Sequence, residues 1–393
     1  MQKNNNVYDK LGASATKDEV HAAITKQDKG VVPGAFCKFI PDPCCDNDYC
    51  AAMHADGAGT KSSLAYITYK ETGDTRALFN IATDSIVMNL DDLICAGATG
   101  GFVMSNTIGR NAHRVDGTAI AAVIAGYENF VEKMNGFGID ITMSGGETAD
   151  VGDLVSTLIV DSTFFVRMKK RDVIDCEKIA AGDVIVALSS FGQASYETSY
   201  NAGMGSNGLT AARHLLLSNL YADKYPESFS HSLSKSDAYT GKYLITDQLN
   251  GAPVTVGDAI LSPTRTYAPI IKDAFDGFRD KIHGIIHCTG GAQAKCLGFG
   301  KNLHYVKNNL FEMPPLFRAI AETGTITRKE MYRVFNMGQR MELYCDAMTA
   351  DEIIKIAGKY NVEAKIVGCV EAGDEGKNTL TITDKDGEYT YEK

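Results

Sequence analysis

Three segments of the sequence set glycines or apolar residues beside acids that could hold a phosphate or a metal. The first is Asp56-Gly57-Ala58-Gly59-Thr60-Lys61. Glycines let backbone N–H groups close on phosphate oxygens, and Lys61 adds a point charge. It is not a Walker A loop, which needs Gly-Lys-Ser/Thr in immediate succession. The second is Asp91-Asp92, between Met88 and Leu93. Alone, this pair reads as the wet edge of a helix. The third is Gly145-Gly146-Glu147-Thr148-Ala149-Asp150. An acid just behind a Gly-Gly turn can chelate a hard cation. Carboxylates from separated segments suit Mg²⁺ better than zinc. A Mg–nucleotide site and a set of unrelated turns remain equally open from these residues alone.

The second half adds Ser206-Asn207-Gly208 and Thr289-Gly290-Gly291. Hydroxyl, amide and glycine groups suit a ribose or a phosphate, and equally suit plain turns. His287, inside Ile285-Ile286-His287-Cys288, reads as a satisfied core histidine. Cys37, Cys44, Cys45 and Cys50, with His54 nearby, lack a Cys-x-x-Cys spacing and read as thiols without a metal.

Helices are expected over 76–96, 117–135, 263–280 and 349–360 from apolar residues at helical spacing. Pro269 would delay or kink the third of these. Strands are expected over 51–55, 101–105, 139–143, 154–167, 183–188, 282–288, 340–345 and 362–370. A hairpin over 380–391 turns at Asp386-Gly387. Lys169-Lys170-Arg171 reads as a linker, 192–208 as a Gly/Ser/Asn-rich loop and 218–257 as a polar excursion. This irregular alternation points to α+β domains with covered sheets.

Length and composition agree. The 393 residues favour two or three domains. The net charge of −10 argues against nucleic acid and anionic membranes as partners, but leaves room for a locally positive pocket. The first residues lack the apolar region of a secretory signal. No apolar run is long enough to span a bilayer, and ten scattered cysteines do not resemble a secreted disulfide framework, so a cytoplasmic location is expected.

The ordered motifs resemble the phosphoribosylformylglycinamidine cyclo-ligase (aminoimidazole ribonucleotide synthetase) family. They are DGAGTK (56–61), DSIVMNLDDLICAGA (84–98), SGGETAD (144–150), VIVALSSFG (184–192), GSNG (205–208), LSPTRTYAP (261–269), HCTGG (287–291) and EMYRVFNMGQRME (330–342). The first and third mark a wider superfamily that includes thiamine-phosphate kinases and selenophosphate synthetases. LSPTRTY and EMYRVFNMG are more specific to the cyclo-ligases. The chain also departs from the family. Gly205 stands where a histidine usually precedes Ser-Asn-Gly, after an apparent extra stretch, 193–204. Ala292–Cys296 replaces a Glu-Asn-x-Pro-Arg segment, Asp91 replaces an asparagine, and Gly101–Ser105 replaces an aromatic strand. These mark a divergent branch.

The resemblance implies an N-terminal ATP/Mg-binding domain (1–171) that pairs sheets in a homodimer, and a C-terminal α+β domain (172–393). It implies ATP-dependent cyclisation of formylglycinamidine ribonucleotide to aminoimidazole ribonucleotide in purine biosynthesis. Asp56, Asp92 and Glu147 would hold Mg²⁺. Gly57, Gly59, Thr60, Lys61, Gly145, Gly146 and Glu147 would meet the nucleotide, with Lys61 and Asp92 catalytic. Ser206, Asn207, Gly208, Thr289, Gly290 and Gly291 would touch the ribonucleotide substrate. A sister small-molecule kinase and a non-catalytic nucleotide-binding paralogue are the alternatives.

Overall fold

In the computed structural model, residues 7–12, 23 and 26–393 are described. The first sheet holds β1 (Ile40–Pro41), β2 (Tyr49–Gly57), β3 (Phe102–Arg110), β4 (Ile141–Asp150) and β5 (Leu158–Lys169), in the order β1-β2-β5-β3-β4. Only β3 and β4 run parallel; the other neighbours are antiparallel. Alternation divides the faces. Phe164 and Val166 of β5 are buried, as their spacing predicts, while Ile159 on the opposite face is exposed. Met53, Phe165 and Val103 pair across three strands of that open face.

Three helices accompany this sheet: α1 (Lys61–Thr72), α2 (Arg76–Cys95) and α3 (Gly117–Gly136). The α2 and α3 ranges follow the apolar spacing. Helix α1 is not anticipated, because its buried residues include Lys61 and Ser62 beside Leu64, Ala65, Tyr66 and Ile67 and trace no amphipathic stripe. It stops at Gly73, which takes the left-handed conformation at φ 71°.

The second sheet holds β6 (Val184–Ser189), β7 (Ile282–His287), β8 (Leu303–Lys307), β9 (Gln339–Cys345), β10 (Ala364–Ala372), β11 (Thr379–Asp384) and β12 (Gly387–Glu392), in the order β12-β11-β8-β10-β6-β9-β7. The expected β11–β12 hairpin forms, with Asp384 opposite Gly387, but it turns at Lys385-Asp386, one residue before the expected Asp386-Gly387, and Gly387 opens β12. Helices α4 (Leu209–Leu216), α5 (Ala268–Phe278), α6 (Arg328–Val334) and α7 (Ala347–Lys359) belong to this half. Helix α5 starts five residues later than its spacing suggests, with Pro269 in its first turn and 261–267 as an ordered non-helical strap. Together the two sheets and their helices form the expected α+β architecture.

Two readings need correction. The segment 144–150 is not a turn but the second half of β4, and a register shift between Met104 and Asn106 absorbs Gly145 at φ 120°. Asp91-Asp92 is not a wet edge. Helix α2 is buried from Asp84 through Cys95, packed between the first sheet and β7 with α5 of the second half.

Candidate active site

A helix buried on nearly every side must find partners for its polar groups. Helix α2 carries Asp84, Asp91 and Asp92 into the seam between the two halves, while Ser85 and Asn89 turn to β2, β5 and α3 of the first half. The strap 261–267 supplies many of the donors. Thr264 gives Asp84 Oδ1 both its backbone N–H (2.8 Å) and its hydroxyl (2.5 Å). The Thr266 hydroxyl and the Tyr267 N–H each take one oxygen of Asp91, at 2.5 and 3.0 Å. Arg265 is held in a bidentate pair by Glu197 and donates to the Ser189 and Phe191 carbonyls. The extra stretch 193–204 is therefore a structural brace, with the Tyr196 hydroxyl donating to the Thr266 carbonyl.

The neighbouring acids diverge. Burial pushes the Asp91 carboxyl up to about 7, against the pull of Thr266, Arg340 and Tyr267. Burial also opposes ionisation of Asp92, but His287 and His54 outweigh it and hold its carboxyl well below the usual range. His287 Nδ1 lies 2.7 Å from Asp92 Oδ1, and His54 Nε2 lies 3.3 Å from Oδ2. Asn89 turns its amide nitrogen to the carbonyls of Asp56, Ser85 and Ser162, so its oxygen faces His54 Nδ1 at 2.8 Å and accepts from it. Burial lowers the His54 pKa, but Asp92 and Asn89 more than offset it and the net shift is upward. Burial and the Arg340 charge press His287 the other way, down to about 4. Two carboxylates side by side, one proton-retaining and one ionised, make an environment suited to acid–base and charge-stabilising work.

The expected site residues separate into groups. Lys61 does not face a phosphate-binding cleft. Its ammonium is buried, 2.6 Å from Asp84 Oδ1 and 2.7 Å from the Ser262 carbonyl, because α1 begins at Lys61 and turns the side chain into the seam. Asp56 is exposed at the end of β2, with Oδ1 accepting from the Gly57 N–H at 2.7 Å. Glu147 pairs with Thr107, Thr107 with Asp161, and Asp161 with Gly57, so Glu147 stands three strands from β2. At strand spacing this is about 14 Å. Among the described residues no three His, Cys, Asp or Glu side chains gather into a metal-sized group. The expected Asp56–Asp92–Glu147 triad is thus not assembled in the chain: Asp92 gives both oxygens to histidines and Glu147 lies across the sheet.

In the second half, the Ser206 hydroxyl lies 3.3 Å from Asp84 Oδ1 and 3.0 Å from Thr264 Oγ1, joining the same cluster. Gly208 and Gly291 hold φ of 79° and 86°, and Asn207 and Gly290 occupy the turns between these groups. Thr289 accepts from Lys295 Nζ at 2.5 Å. Thr60 meets Thr210 of α4 at 3.0 Å across the seam. Gly59 has a left-handed φ of 58°, and Gly57 has no room for a side chain beside Asp161. Gly146 is likewise closed in by Asn106.

Sequence models of the "AIR synthase related protein" N-terminal and C-terminal domains match residues 27–166 and 180–380. The chain belongs to the AIR synthase family. A phosphoribosylformylglycinamidine cyclo-ligase of Methanocaldococcus jannaschii is 30% identical over 82% of this chain and 79% of its own length. Its counterpart from Alkaliphilus metalliredigens is 24% identical over 90% and 89%. AIR-synthase-type folds also recur among solved structures. T. maritima PurL complexed with FGAR superposes with a TM-score of 0.54 at 14% identity, covering 98% of this chain and 54% of that one, so the chain spans about half of that protein. The hydrogenase maturation protein HypE superposes at 0.52 and 13%, covering 86% and 87%.

The sequence motifs did not show the seam itself. The places of His54, Asp84 and Arg340 in it escape a sequence reading because their partners lie far away in the chain. His287 is satisfied on both nitrogens, as its apolar surroundings suggest.

Proposed function

We propose that this chain closes the imidazole ring of aminoimidazole ribonucleotide from formylglycinamidine ribonucleotide, using ATP. The observation that carries this reading is the clamp of the strap 261–267 on Asp84 and Asp91, which joins two family segments into one buried seam beside Asp92. The names of the cyclo-ligase relatives support the activity. That T. maritima PurL, of related fold, was solved with ATP accords with a nucleotide in this family.

In the proposed reaction the amide oxygen of the substrate attacks the γ-phosphorus of ATP. An O–P bond forms, the bond to the β-phosphate oxygen breaks and ADP leaves. The neighbouring nitrogen then attacks the activated carbon, loses a proton, and phosphate departs with the amide oxygen. Positioning and charge neutralisation supply most of such a rate enhancement. The backbone of Gly57, Gly59, Thr60, Gly145 and Gly146 would line the nucleotide. Ser206, Asn207, Gly208, Thr289, Gly290 and Gly291 would line the ribonucleotide. Lys61 acts from behind, fixing the glycine turn to Asp84 instead of touching a phosphate. Asp92 is the fixed anion of the site.

Mg²⁺ would neutralise the phosphates. Asp56 is a hard oxygen donor at the end of β2, and its charge adds to burial in raising the Asp161 carboxyl on the neighbouring strand. Asp92 and Glu147 would join only after rearrangement or from a second copy. A homodimer is favoured by the open sheet face, where Met53 is 70% exposed and Val103 and Ile159 are exposed on the same face. Among the described residues no helix is long and apolar enough to cross a membrane. A cytoplasmic location belongs to the same proposal, because the substrates it names are soluble metabolites.

The test follows imidazole product and ADP together, using purified protein with ATP, Mg²⁺ and formylglycinamidine ribonucleotide. Equal amounts of both are expected. ADP without imidazole would sink the cyclo-ligase reading in favour of a kinase.

A further inference from the structure

Arg340 sits on β9 at the seam, 2% exposed. Its Nη2 lies 2.6 Å from His287 Nε2 and 3.9 Å from the Met88 sulfur. Its Nη1 is buried with no hydrogen-bond partner among the described residues. A Cβ added to Gly205 would stand 2.7 Å from Nη1 and 3.2 Å from Cζ. The backbone at Gly205 also holds φ at 66°.

A guanidinium carries donors and no acceptor. His287 Nε2 must therefore accept from Arg340, which leaves the ring proton on Nδ1, facing Asp92 Oδ1 at 2.7 Å. No carboxylate forms a salt bridge with the guanidinium among the described residues; Asp91 feels its charge without a salt bridge, and Asp92 meets it at one remove through His287. Any side chain at 205, including the histidine that usually precedes Ser-Asn-Gly, would push the guanidinium out of this position. Gly205 and Arg340 are one feature.

We infer that Arg340 is a positioning residue for the ring-closing reaction: in the room left by Gly205, its guanidinium fixes His287 as the neutral tautomer that donates from Nδ1 to Asp92. The inference rests on the activity proposed above. It goes further by assigning the departure at Gly205 a compensating partner 135 residues away in the sequence. Ordering the ring through its far nitrogen is how residues behind a reactive group commonly set its direction and basicity.

The experiment uses the full chain with Arg340→Met, Arg340→Lys, Gly205→Ala and the Gly205→Ala/Arg340→Met double variant. Ring closure and the ¹⁵N signals of the histidine rings are both recorded, with His287 assigned through His287→Gln. Arg340→Met should lower kcat about tenfold or more, the scale of lost orienting contacts, with KM for ATP nearly unchanged. Arg340→Lys, still a donor to Nε2, should recover part of that loss. The left-handed strain that Gly205→Ala introduces is common to the single and double variants and cancels. Arg340→Met should therefore cost less kcat in the Gly205→Ala background than in the wild type. The wild-type ring should show a protonated Nδ1, lost or mixed in Arg340→Met. An Nε2–H ring in the wild type, unchanged kcat in Arg340→Met, or additive effects of the two substitutions would overturn the inference. If the wild type forms no imidazole, the activity reading fails separately. The tautomer then decides the orienting contact: Nδ1–H that Arg340→Met disturbs upholds it, and Nε2–H removes it.

Discussion

Among the described residues two lysines are fully buried against a carboxylate, and they are not equivalent. Lys307, inside the second sheet, lies 2.5 Å from Glu342 Oε1 and 2.7 Å from the Gln293 carbonyl. Gln339 donates to the same Glu342 oxygen, and the Tyr344 hydroxyl donates to the other. Both oxygens of that carboxylate are used. Lys61, at the seam, lies 2.6 Å from Asp84 Oδ1, which also receives Thr264 and Ser206. Asp84 Oδ2 is buried without a hydrogen-bond partner among the described residues. Burial lowers the Lys61 pKa in spite of Asp84. Burial presses on Lys307 as well, but its Cys296 and Glu342 surroundings outweigh it and raise the pKa. A closed polar network fixes one packing. An under-satisfied one at a domain seam is easier to rearrange when a ligand offers the missing partner.

Removing Lys307 is the harshest test of that contrast. Lys307→Met leaves Glu342 ionised or newly protonated in the interior, and should cost about 3–5 kcal/mol. Urea unfolding of the purified chain reads it directly. A loss below about 1 kcal/mol would mean that the network relaxes, and the distinction between the pairs would collapse.

Lys61→Met should cost less stability, about 2–4 kcal/mol, because Asp84 keeps Thr264 and Ser206 as donors. It should nevertheless reduce ring closure far more than Lys307→Met does when both are assayed well below their melting temperatures. Equal losses of activity would show that Lys61 is only another core pair.

Asp91→Asn sharpens the contrast within helix α2 itself. One of the two donors, Thr266 or the Tyr267 N–H, loses its acceptor, a cost of about 1 kcal/mol. The pH dependence is the stronger readout. With its folded pKa raised to about 7, Asp91 binds a proton in the folded state that the unfolded chain releases near pH 4, so its contribution falls as pH rises from 4 through 7. The variant should therefore gain on the wild type between pH 5 and pH 8. A constant difference across that range would place Asp91 as an ordinary carboxylate.

How much of this was open to sequence reading depends on the range of the interaction. β5 and the β11–β12 hairpin are legible because alternation and an Asp-Gly turn are local. Helix α2 is legible as a helix, but its burial is not, since the strap that satisfies Asp84 and Asp91 lies 175 to 180 residues away. Helix α1 and strand β8 escape because each buries a lysine: Lys61 reads as a cation for a phosphate, and nothing near Lys307 in the sequence marks it as buried until Asp84 and Glu342 are set beside them. The glycine-rich segments were visible from their composition, although 144–150 is strand and not turn. Which of them meet was not: Asp56 and Glu147 carry the same signal and end three strands apart.

The smallest expected effect at neutral pH belongs to His214, on α4, away from both lysines. Its Nδ1 accepts the Tyr239 N–H at 3.0 Å, and its ring stacks on Tyr239 with centroids 4.7 Å apart. Burial, helped by the Arg213 charge, pushes it down to about 3. An accepting Nδ1 cannot take up a proton without losing that bond. The unfolded histidine titrates near 6.5, so between pH 6.5 and 3 the unfolded chain binds a proton that the folded chain excludes. The contribution is complete above 6.5 and is lost as pH falls toward 3. At pH 7 replacing the ring with a glutamine that keeps an acceptor should change stability only through packing. By pH 5 the wild type should have lost about 2 kcal/mol that His214→Gln does not lose. Urea midpoints at pH 5 and pH 7 for both proteins measure the difference. If the two slopes coincide, His214 titrates in the folded chain, and the acid sensitivity of this protein belongs to the seam instead.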